Sequence, residues 1–210
     1  MSKMLKLNKL YNMDCMEGMK QFPDKYFELA IVDPPYGIGN FVQVTGNVRG
    51  EKVTWNDSIP PKEYFIELER VSKERIIWGA NYFNCFDEKG GAIVWYKQIP
   101  PESNLSECEI ASYSRLKRVG FVHIKWQNIN RNEKTIHPCQ KPVALYRWLL
   151  QNYAKQGDKI LDTHVGSASS LIACYDMGFD AVGFELDKDY YEASKKRLEE
   201  FMAQGRLFDD

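Results

Sequence analysis

Apolar positions along the chain follow two rhythms. Tyr26–Val32 (YFELAIV) is a short apolar run with branched residues, and it stops abruptly at Asp33-Pro34-Pro35. That pattern predicts a buried strand ending in a turn. Arg75–Trp78 and Ala92–Tyr96 read as further strands, and residues from about Ser106 to Trp126 as more strands with looser limits. Pro60-Pro61 opens a helix that runs to about Glu74, with Tyr64, Phe65, Leu68 and Val71 on one face. Between Gly37 and Ser58 lies a stretch rich in Gly, Asn and Val without helical period, and a loop of that length in a compact domain is usually functional or mobile. The C-terminal third alternates cleanly: helix Pro142–Ala154, strand Lys159–Asp162, helix Gly166–Met177 after a small-residue turn, strand Asp180–Phe184 ending at Glu185, and a charged helix Asp187–Met202. The expectation is one α/β domain over residues 1–210, a doubly wound and mostly parallel sheet. Ligands in such sheets bind outside the carboxyl ends of the strands.

Composition narrows the class. Hydrophobic residues at 44% and aromatics at 13% exclude a disordered chain. Five scattered cysteines without a C-x-x-C pair argue against a disulfide framework and a Cys-rich zinc site, and fit a reducing, cytoplasmic setting. The N-terminus lacks a signal-peptide core, and no apolar run approaches the ~18 residues of a membrane span, so no membrane partner is expected. A net charge of -1 counts against a nucleic-acid binder only until it is divided along the chain. Residues 1–110 carry 13 basic and 16 acidic side chains, and residues 148–210 carry 7 and 12. Residues 111–147 carry eight basic ones (Arg115, Lys117, Arg118, Lys125, Arg131, Lys134, Lys141, Arg147) against the single acid Glu133. A basic segment of this bias is either a solvated face or a polyanion contact, where each neutralised phosphate releases counterions. Tyr113, Phe121, Trp126 and Asn128 lie among these charges, either to stack on and read a nucleic acid or to fill a core.

Two constellations carry chemistry. In Asp33-Pro34-Pro35-Tyr36, two prolines fix the turn and remove two backbone donors, leaving carbonyls free as acceptors. A carboxylate, acceptor carbonyls and an aromatic ring then suit an exocyclic amine on a flat ring. Asp33 would accept one N–H, the Pro34 carbonyl the other, and Tyr36 would stack on the ring. Such hydrogen bonds draw the amino nitrogen out of conjugation, so that a methyl group held in line is transferred by proximity and orientation. A base must leave its stack to reach such a pocket. The bland alternative is a rigid Pro-Pro turn with a solvated Asp. In the C-terminal unit, Asp162 to Ser169 is a strand-to-helix turn of small residues, and Glu185 follows Asp162 by 23 positions at the next strand end. It is neither G-x-G-x-x-G nor a Walker loop. A small-residue turn plus an acid suited to ribose hydroxyls fits a nucleoside such as S-adenosylmethionine, although either acid alone could be an ordinary strand-end residue.

With these residues in place, the sequence resembles the amino-group DNA methyltransferases that use S-adenosylmethionine, in the permuted order called the beta class, over most of its length. Asn12-Met13-Asp14-Cys15 resembles the segment where an acid contacts the cofactor adenine, which points to Asp14. Asp33, Pro34, Pro35 and Tyr36 match the catalytic motif in the form that resembles adenine-N6 enzymes. Trp78–Phe83 and Val94–Lys97 resemble the middle strands. His137-Pro138-Cys139-Gln140-Lys141-Pro142 is similar to the motif opening the helix beside the cofactor's methionine end, where Lys141 and the helix N-terminus would meet its carboxylate. Asp162, His164, Gly166 and Ser167 resemble the cofactor loop, and Glu185 the ribose acid. The resemblance implies a Rossmann-like methyltransferase fold, a site-specific adenine-N6 DNA methyltransferase, and double-stranded DNA as substrate.

Two departures stand out. His164 replaces a common Phe, and Ala168-Ser169 replace Gly-Thr. Only about residues 115–136 remain for a target-recognition insert, which implies economical target reading or a homodimer. Arg115, Lys117, Arg118, Lys125, Trp126, Asn128, Asn130, Arg131 and Lys134 are the candidate nucleic-acid contacts. His123 and His137 read as packed or hydrogen-bonded, since no metal spacing connects them. The absence of G-x-S-x-G disfavours a hydrolase. The competing readings are a cytosine-N4 or RNA-base methyltransferase, or a nucleic-acid binder of the same fold without turnover. After the last helix, Gln204, Leu207 and Phe208 resemble a pentapeptide that docks on bacterial sliding clamps, the alternative being a frayed end.

Overall fold

The computed structural model describes residues 4–39, 42, 50–99, 102, 105–115, 117–126 and 135–206. Eight strands form one sheet in the order β1-β8-β7-β2-β3-β5-β4-β6. These are β1 (Lys9–Asn12), β2 (Phe27–Val32), β3 (Ser72–Trp78), β4 (Ala92–Tyr96), β5 (Cys108–Tyr113), β6 (Val119–His123), β7 (Lys159–Asp162) and β8 (Asp180–Glu185). Among the eight described strands, β5 runs antiparallel to its neighbours β3 and β4 and the other strand pairings are parallel.

The central strands bury both faces, as parallel strands between helix layers must. On β2, Leu29 and Ile31 enter one apolar cluster while Ala30 and Val32 enter the other, and β7 divides Ile160 from Leu161 the same way. Helices α4 (Val143–Tyr153) and α5 (Ser169–Asp176) cover the first face through Leu145, Leu149 and Ile172. Helices α1 (Cys15–Met19) and α2 (Lys62–Val71) cover the second through Met19, Leu68 and Val71. The arrangement is the doubly wound α/β sheet that the pattern predicts, in the Rossmann-like form that the resemblance implies. A short α3 (Ala80–Phe83) follows β3, and α6 (Lys188–Arg206) is the last described helix.

Three boundaries differ from the sequence reading. Helix α2 ends at Val71, because Ser72 and Glu74 pair with Phe27 and Leu29 of β2. Sheet pairing overrides a helical period that continues on paper. Helix α5 starts three residues later than expected, since 166–168 form the turn. Helix α6 extends to Arg206, so Gln204 is helical rather than part of a loose tail; Leu207 and Phe208 lie outside the described residues. Among the described residues no helix is long and apolar enough to cross a membrane.

Seven parallel strands place their carboxyl ends on one edge of the sheet, and antiparallel β5 brings its beginning to that same edge. Asp14, Asp33, Gly79, Lys97, Glu109, Thr163 and Glu185 therefore converge, although 171 positions separate the first from the last.

Candidate active site

A cavity of about 870 Å³ opens at this edge. Asp14, Asp33, Pro34, Pro35, Tyr36, Trp126, Lys141, His164, Gly166, Ser167 and Glu185 all line it, so most of the residues expected from sequence meet in one place. Its size is in the range of pockets that hold a nucleoside-sized ligand with room to spare.

One half is built on turns. Glu185 Oε2 accepts the Gly166 N–H at 2.8 Å and Oε1 accepts the Asp187 N–H at 2.9 Å, leaving lone pairs on both oxygens. Burial pushes the Glu185 carboxyl up to about 7, against those two donors. Asp14 caps α1 by accepting the Met16 N–H at 2.7 Å. Tyr64 Oη shares a hydrogen bond with Thr163 Oγ1 at 2.6 Å, and Thr163 Oγ1 another with His164 Nδ1 at 2.9 Å. Burial lowers the His164 imidazole to about 4, so the ring is neutral near pH 7 and packs edge-on against Tyr64. The replacement of Phe thus keeps aromatic packing without adding charge. Half-buried His137 lies between Trp55 (centroids 5.1 Å apart) and Tyr190 (4.4 Å), and its Nδ1 accepts the Cys139 N–H, consistent with a packed histidine.

Asp162 departs from its expected role. It does not line the cavity, but sits beneath the turn, where it accepts the His164 N–H at 3.0 Å and the Ser170 hydroxyl. Its side chain stabilises the turn from behind, and burial holds its carboxyl at about 6.

The other half is built on side-chain charge. Asp33 follows β2 directly, and the backbone N–H groups of Tyr36 and Gly37 both donate to Asn56 Oδ1, at 2.7 and 3.2 Å. Asn56 is buried and pins the turn, a role the sequence did not disclose. The Tyr36 hydroxyl donates to Asp33 Oδ1 at 2.6 Å, and Lys141 Nζ to Asp33 Oδ2 at 2.6 Å. Lys141 also meets Glu109 Oε2 at 2.9 Å, and Glu109 Oε1 pairs with Lys97 at 3.1 Å. Burial raises the Asp33 carboxyl, an effect that Lys141 opposes and Glu109 reinforces. Burial also raises Glu109, but Lys141 and Lys97 outweigh it and leave that carboxyl below its ordinary value. Burial works against the Lys141 charge, yet Asp33 and Glu109 hold the ammonium well above its ordinary range.

Two side chains expected to meet ligands make contacts within the chain. The Lys141 ammonium pairs with two carboxylates, Asp33 at 2.6 Å and Glu109 at 2.9 Å. The Tyr36 ring stacks on Tyr82 of α3, with centroids 5.0 Å apart and planes 18° from parallel. Gly79, at φ +76°, lies so close to that ring that a Cβ there would be 2.4 Å from it.

The basic segment is also rearranged. Lys141 is buried, and Arg147 pairs with Asp176 at 2.7 Å. Arg115, Lys117 and Arg118 are exposed, but they connect the far end of β5 to the start of β6, on the opposite edge of the sheet from the cavity. A five-residue strand places them roughly 17 Å away. Lys125 and Trp126 follow β6 and return to the cavity side, with Trp126 lining it. Tyr113 is core and Phe121 is exposed on β6. Asn128, Asn130, Arg131 and Lys134, in the 127–134 stretch of the expected 115–136 insert, lie outside the described residues.

Comparison with known proteins places this geometry in context. Residues 77–196 match the family model described as DNA methylase, of the N6/N4 methyltransferases, and Asp33–Tyr36 lies outside the matched stretch. The chain is 35% identical over 79 residues to the type II methyltransferase M.HpaI of Haemophilus parainfluenzae, covering 38% of this chain and 24% of that protein. It is 36% identical over 165 residues to the type II methyltransferase M2.DpnII of Streptococcus pneumoniae, covering 78% of this chain and 56% of that protein. The chain thus spans about a quarter and about half the length of these two relatives. Among solved structures, the M1.HpyAVI–SAM complex superposes with TM-score 0.58 at 22% identity, over 90% of this chain and 98% of that one. The cytosine-N4-specific PvuII DNA methyltransferase superposes with TM-score 0.65 at 13% identity, over 95% and 92%.

Proposed function

Since the chain belongs to the N6/N4 DNA methylase family, we propose that it transfers a methyl group from S-adenosylmethionine to the exocyclic N6 amine of an adenine flipped out of double-stranded DNA. The observation that carries this reading is the presence of Asp33 and Glu185 in one cavity, each at the carboxyl end of a parallel strand. S-adenosylmethionine supplies the electrophilic sulfonium methyl group.

The residues suit that cofactor. Glu185 retains acceptor capacity for ribose hydroxyls, and Gly166 and Ser167 let the backbone come close without bulk. Asp14 would meet the adenine, as the resemblance implies, and His164 belongs to the cofactor loop; both line the cavity. Asp162 supports the turn rather than the ligand. On the target side, Asp33 accepts an N–H of the amino group and orients its nitrogen lone pair toward the methyl group. Proximity and orientation in a closed site account for the acceleration. Trp126, which lines the cavity and offers a stacking surface, and exposed Lys125 beside it in the chain are the candidate DNA contacts.

Cytosine-N4 transfer is the second reading, favoured by the scope of the matched family, which covers both amines. Incubating the purified protein with S-adenosylmethionine and unmethylated DNA, then identifying methylated nucleosides by mass spectrometry, separates the two. N6-methyladenine is expected; N4-methylcytosine alone refutes the adenine assignment, and no methylated base refutes both.

A further inference from the structure

Each oxygen of the Asp33 carboxylate, which must accept the target amine, already accepts one of this chain's own donors, so the amine shares that carboxylate with the Tyr36 hydroxyl and the Lys141 ammonium. Drawing those donors away without a second acceptor would leave the buried Lys141 ammonium and the half-buried Tyr36 hydroxyl short of partners, which is unfavourable. Glu109 removes that difficulty. Its Oε2 lies 2.9 Å from Lys141 Nζ and 3.3 Å from Tyr36 Oη, the same two donors that hold Asp33. Its other oxygen is fixed by Lys97 at 3.1 Å. The four ions alternate in sign, Lys97, Glu109, Lys141, Asp33, and sum to zero.

We propose that Glu109, anchored by Lys97, is a positioning residue that serves as the alternative acceptor for Lys141 and the Tyr36 hydroxyl, releasing the Asp33 carboxylate to the target amine. The exchange is one of hydrogen bonds alone. The ammonium shifts its contacts from Asp33 toward Glu109, the tyrosine O–H turns from Oδ1 to Glu109 Oε2, and no buried donor loses its partner. Without Glu109, both donors stay on Asp33 and compete with the base. This proposal rests on the reading of Asp33 as the amine acceptor.

The charged and titratable surroundings of Asp33 and Glu109 are Lys141, Cys139 and His137 from the segment before α4, Tyr146 on α4, Lys97 after β4, Asp162 at the end of β7, and Tyr36. All but the substituted residue are common to the variants below. Removing the Glu109 charge takes a like charge away from Asp33, so its acidic limb moves to lower pH. Removing the Lys97 charge leaves the cluster net negative and moves that limb to higher pH.

The test is the pH profile of methyl incorporation from labelled S-adenosylmethionine into unmethylated genomic DNA, with cofactor-dependent thermal stabilisation as the control for folding. For Glu109→Gln we expect a plateau rate at least tenfold below wild type, an acid limb displaced downward and cofactor stabilisation retained, with Glu109→Asp recovering part of the rate. For Lys97→Met we expect a smaller loss and an acid limb displaced upward. Rates within twofold of wild type, or losses with unmoved limbs in both variants, overturn the proposal. If Glu109→Gln no longer responds to cofactor, Lys97→Met decides alone, and an unmoved limb overturns it. Failure of the underlying reading looks different: wild type then incorporates no methyl group, or Asp33→Ala incorporates it undiminished.

Discussion

The two halves of the cavity are made differently. The half around Glu185 is held by backbone, with turn N–H groups on both oxygens of one carboxylate and a hydroxyl and a carboxylate bracing the turn from below. The half around Asp33 is held by long side chains from four separate elements whose charges cancel. A backbone-built half is formed before its ligand arrives. A side-chain-built half shares its acceptor with its own ammonium and hydroxyl, contacts that can exchange partners. On the proposed reading, the cofactor meets a carboxylate held by fixed backbone donors, while the target base meets one shared with mobile side-chain donors.

If that contrast holds, substitutions in the two halves fail in different ways. The largest effect is expected at Asp33. Asp33→Ala removes the acceptor, and turnover falls by at least on the order of 10²–10³-fold while cofactor affinity measured by calorimetry is unchanged. Equal losses in both would erase the division between halves. Next is Gly79→Ala. A methyl group there meets the Tyr36 ring at 2.4 Å, so the ring and its hydroxyl shift. Turnover is expected to fall about 10- to 100-fold with cofactor affinity intact, since misplacements near 1 Å act on the reaction rather than on distant binding. Steady-state rates beside equilibrium binding check this.

Substitutions at Glu185 sharpen the contrast from the other side. A carboxyl held at about 7 is largely protonated at pH 6 and largely ionised at pH 8. Ribose hydroxyls donate to the ionised form, so wild-type affinity for S-adenosylmethionine is expected to rise roughly tenfold from pH 6 to pH 8. Glu185→Gln should bind about tenfold more weakly at pH 8 and lose most of that pH dependence; calorimetry at the two pH values reads both. The smallest effect is at Ala168, which sits at φ +63° at the start of α5. Left-handed backbone is unfavourable for an L-residue by roughly 1–2 kcal/mol, partly offset by the greater freedom glycine loses on folding. Ala168→Gly should therefore raise stability by about 1 kcal/mol, or roughly 2–4 °C in Tm, in a thermal melt.

Much of this arrangement was legible in the sequence because its signals are local. Asp33-Pro34-Pro35-Tyr36 is contiguous, and the turn before α5 and Glu185 belong to one β-α-β unit whose spacing is regular. Glu109, Lys97 and Asn56 were not legible. Each looks like an ordinary polar residue at a strand or loop boundary, and only antiparallel β5 and the 50–58 segment bring them to Asp33. The charge run at 111–147 misled in a related way. A linear count cannot tell that β5 and β6 carry Arg115, Lys117 and Arg118 to the opposite edge, or that Lys141 turns inward. Strand β1 was missed because four residues with only Leu10 buried carry too little periodicity. The continuation of α2 to Glu74 failed because pairing with β2 is a long-range fact.

The most direct test of the central claim is methylation-sensitive sequencing of DNA from a methylation-free host expressing this chain, beside the same host expressing Asp33→Ala. The account predicts N6-methyladenine at a recurring sequence in the first and none in the second. Methylation confined to cytosine N4, or methylation that survives the loss of Asp33, would contradict it.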